Sequence, residues 1–226
     1  MRFPVNIKNL FSKQGNLKFL VKNTIATTTR KYTLIKCLKY TGITSALGFI
    51  FINHQLKLDK INQNIQILHI NAENGNLRVV KYLVEKGADI HADNDHALYV
   101  SARHGHLEVV KYLVENGANI HAENDKALRI SANKGYLEVV KYLVENGADN
   151  INHALCSSAY SGYLEVVKYL VESSTDNINQ ANNDKALTNS AEEGHLEVVK
   201  YLVKNGADIH ANDNYALCYS AMNGHL

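Results

Sequence analysis

Eleven histidines and three cysteines are the residues of this chain whose types most readily do chemistry. Imidazole and thiolate bind zinc and also serve acid–base or nucleophilic catalysis, so their spacing matters first. Cys37, Cys156 and Cys218 are odd in number and form no Cys-x-x-Cys pair, which leaves neither a disulfide framework nor a zinc knuckle to read. They read as small hydrophobic residues kept reduced, as in a cytosol. His91, His121 and His210 hold one equivalent position in a recurring pattern, while His106 and His195 each follow a glycine. Residues that recur once per stacked helix stand about 10 Å apart, too far to share one ion. No metal and no cofactor is expected. Phosphate loops, Gly-x-Ser-x-Gly and His-Glu-x-x-His are absent, and pairs such as Glu108 and Lys111 read as solvated helix faces. The expectation is a protein with no catalytic residue, no small-molecule substrate and no enzymatic activity.

The elements that would carry these residues are set by an internal repeat. Asn76-Leu77-Arg78-Val79-Val80-Lys81-Tyr82-Leu83-Val84 returns as His106 to Val114, Tyr136 to Val144, Tyr163 to Val171 and His195 to Val203. The glycine before each block falls at 75, 105, 135, 162, 194 and 224, with spacings of 30, 30, 27, 32 and 30. Leu107, Val110, Leu113 and Val114 make one apolar helical stripe, with Glu108 and Lys111 on the wet side. Asn116-Gly117 stops that helix. A shorter helix precedes each glycine, as in Ala97 to Ala102, Ala127 to Ala132 and Ala186 to Ala191. Its Ser-Ala pair is small enough for two helices to approach closely. The unit is therefore helix, tight turn, helix and a polar excursion such as Ile120 to Lys126.

Residues 105–119, Gly-His-Leu-Glu-Val-Val-Lys-Tyr-Leu-Val-Glu-Asn-Gly-Ala-Asn, strongly resemble the second half of an ankyrin repeat. The resemblance covers roughly residues 61–226. It implies an all-α, ankyrin-type solenoid of stacked antiparallel helix pairs with short inter-repeat loops. The family unit has about 33 residues and opens on Thr-Pro-Leu-His. Here the unit has about 30 and opens on Asp-His-Ala-Leu (95–98) or Asp-Lys-Ala-Leu (125–128), so the excursion should be shorter than the family's β-hairpin finger and free of strand pairing. Such shortened, Asn-rich repeats look like those of giant DNA viruses. Five helix pairs are expected from about Gln66, with a sixth cut off at Gly224-His225-Leu226. That leaves Leu217 poorly covered and the last half-repeat prone to fray. The spacing of 27 between Gly135 and Gly162, and the long excursion from Ser173 to Asp184, predict a bend or a gap in the stack.

Residues 1–58 have a different composition. They carry ten Lys/Arg and no acid, so the remaining 14 of 24 bases face all 22 acids in residues 59–226. The two regions are read as separate: a basic N-terminal extension at 1–58 and the solenoid at 59–226. Three readings of the extension stay open: a helical cap, a cleaved targeting peptide, or a membrane anchor through the uncharged stretch 40–56, of which only Ile43 to Ile52 is convincingly apolar. The basic segment could also meet anionic lipid or RNA. The acidic balance of the repeats argues against a nucleic-acid stripe there. No asparagine sits in an Asn-x-Ser/Thr acceptor, which fits a cytoplasmic location.

In a solenoid, function sits where repeats differ, because packing holds the rest constant. The second helix is nearly invariant here. The two residues before each turn glycine are not: Arg103-His104, Asn133-Lys134, Tyr160-Ser161 and Glu192-Glu193. Variable too are the first-helix positions Tyr99, Arg129 and Thr188, and the excursion tips Asp95-His96, Asp125-Lys126, Asn152-His153 and Asn214-Tyr215. By the family resemblance these line a groove that grips partner proteins. The expected protein-binding surface is Tyr99, Arg103, His104, Arg129, Asn133, Lys134, Tyr160, Thr188, Glu192 and Glu193. Its charge runs from basic to acidic along the stack, which predicts a protein partner of opposite polarity. The functional expectation is an adaptor or scaffold, and the viral resemblance implies one that engages host proteins. Its alternatives are a membrane-tethered scaffold and a substrate adaptor in a degradation pathway.

Overall fold

The computed structural model describes residues 46–173 and 180–225. Eleven helices occupy them, and no strand occurs among the described residues. They are α1 (Ala46–Glu73), α2 (Leu77–Glu85), α3 (Ala92–Arg103), α4 (Leu107–Glu115), α5 (Lys126–Asn133), α6 (Leu137–Glu145), α7 (Ile151–Tyr160), α8 (Leu164–Ser173), α9 (Gln180–Glu192), α10 (Leu196–Lys204) and α11 (Ala211–Met222). The chain divides into a unit ending at Gln63 and a unit from Asn64 to Leu226, and the second unit carries the repeats. No described helix is long and apolar enough to cross a membrane, and residues 40–45 of the stretch considered as an anchor lie outside the described part.

The helices form two rows. The first helices α3, α5, α7 and α9 pack on their own second helices α4, α6, α8 and α10, and successive first helices touch in the order α3, α5, α7, α9, α11. Successive second helices α2, α4, α6, α8 and α10 do the same. Among the described residues four such pairs run from α3 to α10, preceded by α1 and α2 and followed by α11. The core is a ladder of identical rungs. Leu98, Leu128, Leu155 and Leu187 from the first row meet Val110, Val140, Val167 and the leucines 113, 143, 170 and 202 from the second, all essentially sealed from water. Each such leucine contributes about 1.5–3 kcal/mol on burial. Val109, Val139 and Val166 are just as buried, which a single stripe through Leu107 and Val114 does not anticipate. A second helix inside a row is walled by its partner and by both neighbours, so its buried arc is wider than that of a helix lying on one surface.

The predicted close approach of first helices is real. Ser101, Ser131, Ser158 and Ser190 are completely buried, and each hydroxyl donates back to the leucine carbonyl three residues earlier at 2.9–3.0 Å. The polar atom is thus satisfied inside its own helix and asks nothing of the neighbour. The turn beyond it needs glycine twice over. Gly105 stands at φ +73°, and a β-carbon there would lie 2.5 Å from the ring of Tyr136, the residue after the next repeat's turn glycine. The same ring-over-glycine contact recurs with His106 over Gly75, Tyr163 over Gly135 and His195 over Gly162.

The excursions contain a feature that the repeat pattern does not announce. Asp93-Asn94-Asp95, Glu123-Asn124-Asp125 and Asn212-Asp213-Asn214 each hold three consecutive residues at φ between 50° and 65°. Left-handed backbone is costly for most side chains, and Asn and Asp bear it best, which accounts for their abundance here. The repeat with a spacing of 27 has no such triplet: Asn150 leads directly into α7, and no residue between 148 and 160 has positive φ. The shortening by three therefore removes the left-handed turn and leaves the helices in place. Of the expected bend or gap, no gap opens, since α7 touches both α5 and α9; residues 174–179 of the long excursion lie outside the described part. At the far end Leu217 is 65% exposed where its counterpart Leu187 is 1% exposed, as poor cover predicts.

Candidate functional site

Two of the left-handed triplets end in a carboxylate that joins one repeat to the next, and Asp184 makes the same bond without such a triplet. Asp125 is 1% exposed. Its Oδ2 accepts the backbone N–H of Asp149 at 2.8 Å and of Asn150 at 2.7 Å, and its Oδ1 accepts His121 Nδ1–H at 2.8 Å. Asp95 repeats the arrangement with the Asn119 N–H and the His91 ring, and Asp184 takes the Asp208 N–H at 2.7 Å. In all three the donor lies 24 residues on, in the following repeat. Burial pushes the Asp125 carboxyl up, but the N–H donors of Asn150 and Asp149 and the His121 ring outweigh it and hold the group below its ordinary range.

Two expectations change here. Asp95 and Asp125 are structural latches and not variable solvent-facing tips. Their recurrence before His or Lys in Asn-Asp-His/Lys-Ala-Leu was the signal, together with Asp184. Recurring histidines do stand a repeat apart, but His121 meets acids of its own and the next repeat: His121, Asp125 and Asp149 bring ligand atoms within 4.8 Å of one another. The hydrogen bonds explain that cluster. Both oxygens of Asp125 already face N–H donors, and the exposed Asp149 carboxylate stands 3.8 Å from the His121 ring.

The ten residues expected to form a binding surface lie on the first helices and the turns that end them. Arg103, His104, Lys134, Tyr160 and Glu193 are exposed. Tyr99, Arg129, Asn133, Thr188 and Glu192 are half-buried. Several are tied within the stack. Lys126 Nζ stands 4.5 Å over the Tyr99 ring, Arg129 Nη2 donates to the Glu123 carbonyl at 3.1 Å, Asn133 donates to the Ser161 hydroxyl at 2.8 Å, and Thr188 donates to the Asp184 carbonyl. The His104 ring donates to the Val100 carbonyl and lies 4.0 Å from the Glu73 carboxylate. Tyr160 hydrogen-bonds Glu193 of the next repeat, and that carboxylate pushes the phenol up. Cys156 belongs to the same column as Tyr99, Arg129 and Thr188, and burial pushes its thiol up, away from reactive thiolate.

Two rows of antiparallel helix pairs, closed by a Gly-centred turn and latched repeat to repeat, define a helical-repeat solenoid. The family described as ankyrin repeats (3 copies) matches residues 17–124, 68–154, 119–181 and 155–226. The chain belongs to the ankyrin-repeat family. The match opens at residue 17, well before the start near residue 61 that the repeating blocks suggest, and takes in most of the basic segment. No curated protein matches the chain.

Proposed function

We propose that this protein is an adaptor or scaffold that binds another protein across the face carried by its first helices and turns. The observation that supports this most is the division between constancy and variation. The buried rungs are the same residues in every repeat, while Arg103, Asn133, Tyr160 and Glu192, equivalent positions at the ends of α3, α5, α7 and α9, all differ. Ankyrin repeats are protein-interaction modules, and exposed Tyr and Arg are the side chains that interfaces favour. The short, Asn-rich units resemble those of giant DNA viruses, a setting in which the partner would be a host protein. Proximity labelling and affinity capture in the native cell, run with the wild type and with Arg103, Arg129 and Lys134 all changed to Glu, test the reading. Loss of specific captured proteins from the variant is expected. Identical capture by both would remove this face as the binding surface.

A further inference from the structure

Charge on this protein is handled differently on its two rows. On the second helices every lysine at the repeated position after the first has an acid one turn earlier: Lys111, Lys141, Lys168 and Lys200 reach Glu108, Glu138, Glu165 and Glu197 at 2.7–3.1 Å. Lys126 is likewise held by Glu123 at 2.7 Å. Before the turn glycines the pattern stops. Among the described residues Arg103, Lys134 and Glu192 have no ion-pair partner, and Glu193 meets only the neutral Tyr160 hydroxyl. The strip opens with Glu73, whose carboxylate faces His104. It then runs through two basic steps, a 48% exposed tyrosine and a doubly acidic step. From Arg103 onward the unpaired charges are basic first and acidic last, which is what a partner of complementary pattern would neutralise.

Resting on the adaptor reading, we propose that the strip binds one elongated polypeptide segment of block polarity. Its acidic end lies over Arg103 and Lys134, an apolar or aromatic residue meets Tyr160, and its basic end lies over Glu192 and Glu193. Arg103 and Glu192 stand three repeats apart, about 30 Å at 10 Å for each packed helix. An extended chain covers that with about nine residues. The separation exceeds the Debye length of about 8 Å at physiological salt, so the two ends are sensed separately and the order of charges matters, not just their sum.

The test uses the full chain and four labelled synthetic peptides. One has a run of glutamates, a Tyr-containing spacer and a run of lysines. The second has the same composition with the charges alternating, and the others carry only glutamate or only lysine around the spacer. Fluorescence polarisation at physiological ionic strength should show the block peptide binding about tenfold or more tightly than the alternating one, with both affinities falling as salt is raised further. The double variant R103Q/K134Q, whose changes are at exposed positions, should keep its melting curve and lose the preference. Equal affinity for block and alternating peptides, a preference for either single-sign peptide, or no binding by any of them overturns the proposal. None of those results touches the captured-protein test, so the two readings fail separately.

Discussion

Asp125 accepts the backbone N–H of Asp149 at 2.8 Å across the boundary between two repeats, and of the two carboxylates only that of Asp125 is buried. Two acids that look alike in sequence therefore have opposite weight. Asp125→Ala should destabilise the array by about 1–3 kcal/mol, because it removes a buried carboxylate that accepts two part-buried N–H groups of the next repeat. Asp149→Ala keeps its backbone donor and should stay within about 0.5 kcal/mol of wild type. Urea unfolding followed by circular dichroism measures both, and equal losses would mean that the latch is not what joins these repeats.

Acid should loosen the same joint. The folded Asp125 carboxyl sits below its ordinary value of 3.8, so its contribution is present above about pH 4 and is lost as pH falls through the lower folded value. Urea midpoints taken from neutral to strongly acidic pH should fall more steeply below pH 4 in the wild type than in Asp125→Asn. Superimposable acid limbs in the two proteins count against the assignment.

The turn glycines carry a steric and a conformational demand together. Gly105→Ala places a methyl 2.5 Å from the Tyr136 ring at φ +73°, where an L-residue already costs about 1–2 kcal/mol. The expected loss exceeds that range. Adding Tyr136→Ala should leave Gly105→Ala with only its conformational cost, a coupling that a double-mutant cycle reads directly. Strict additivity would place the ring away from the glycine in solution.

Position in the stack should decide what a leucine is worth. Leu143→Ala empties a fully buried rung and should cost about 2–5 kcal/mol. Leu217→Ala, on a residue 65% exposed, should cost within about 0.5 kcal/mol. Similar losses at both would show that α11 is covered in solution.

Most of this architecture can be read from residues alone, because glycine spacing and the Leu-x-Val-Val-Lys-Tyr-Leu block are local signals of helix, turn and buried face. The latch could not be read the same way. Whether Asp95 and Asp125 face water depends on a three-residue left-handed turn and on amides 24 residues away; the recurring Asn-Asp before Ala-Leu marks the position without telling which way its carboxylate faces. The 27-residue spacing misled for the same reason: it counts a missing turn, not a missing support. Within the expected binding strip, Arg103 and Lys134 have no ion-pair partner among the described residues, while Arg129 is held by Glu123 of the preceding turn and Asn133 by Ser161 of the next repeat.

All of these relationships require that no helix pair can stand unaided. Second helices of nine or ten residues are too short to persist alone in water. The most direct measurement is the thermal circular-dichroism melt of a single excised unit, residues 96–118, beside that of the full chain. The excised pair should show no cooperative transition and little helix at any temperature. A cooperative melt with a midpoint matching the full chain would contradict the account at its base.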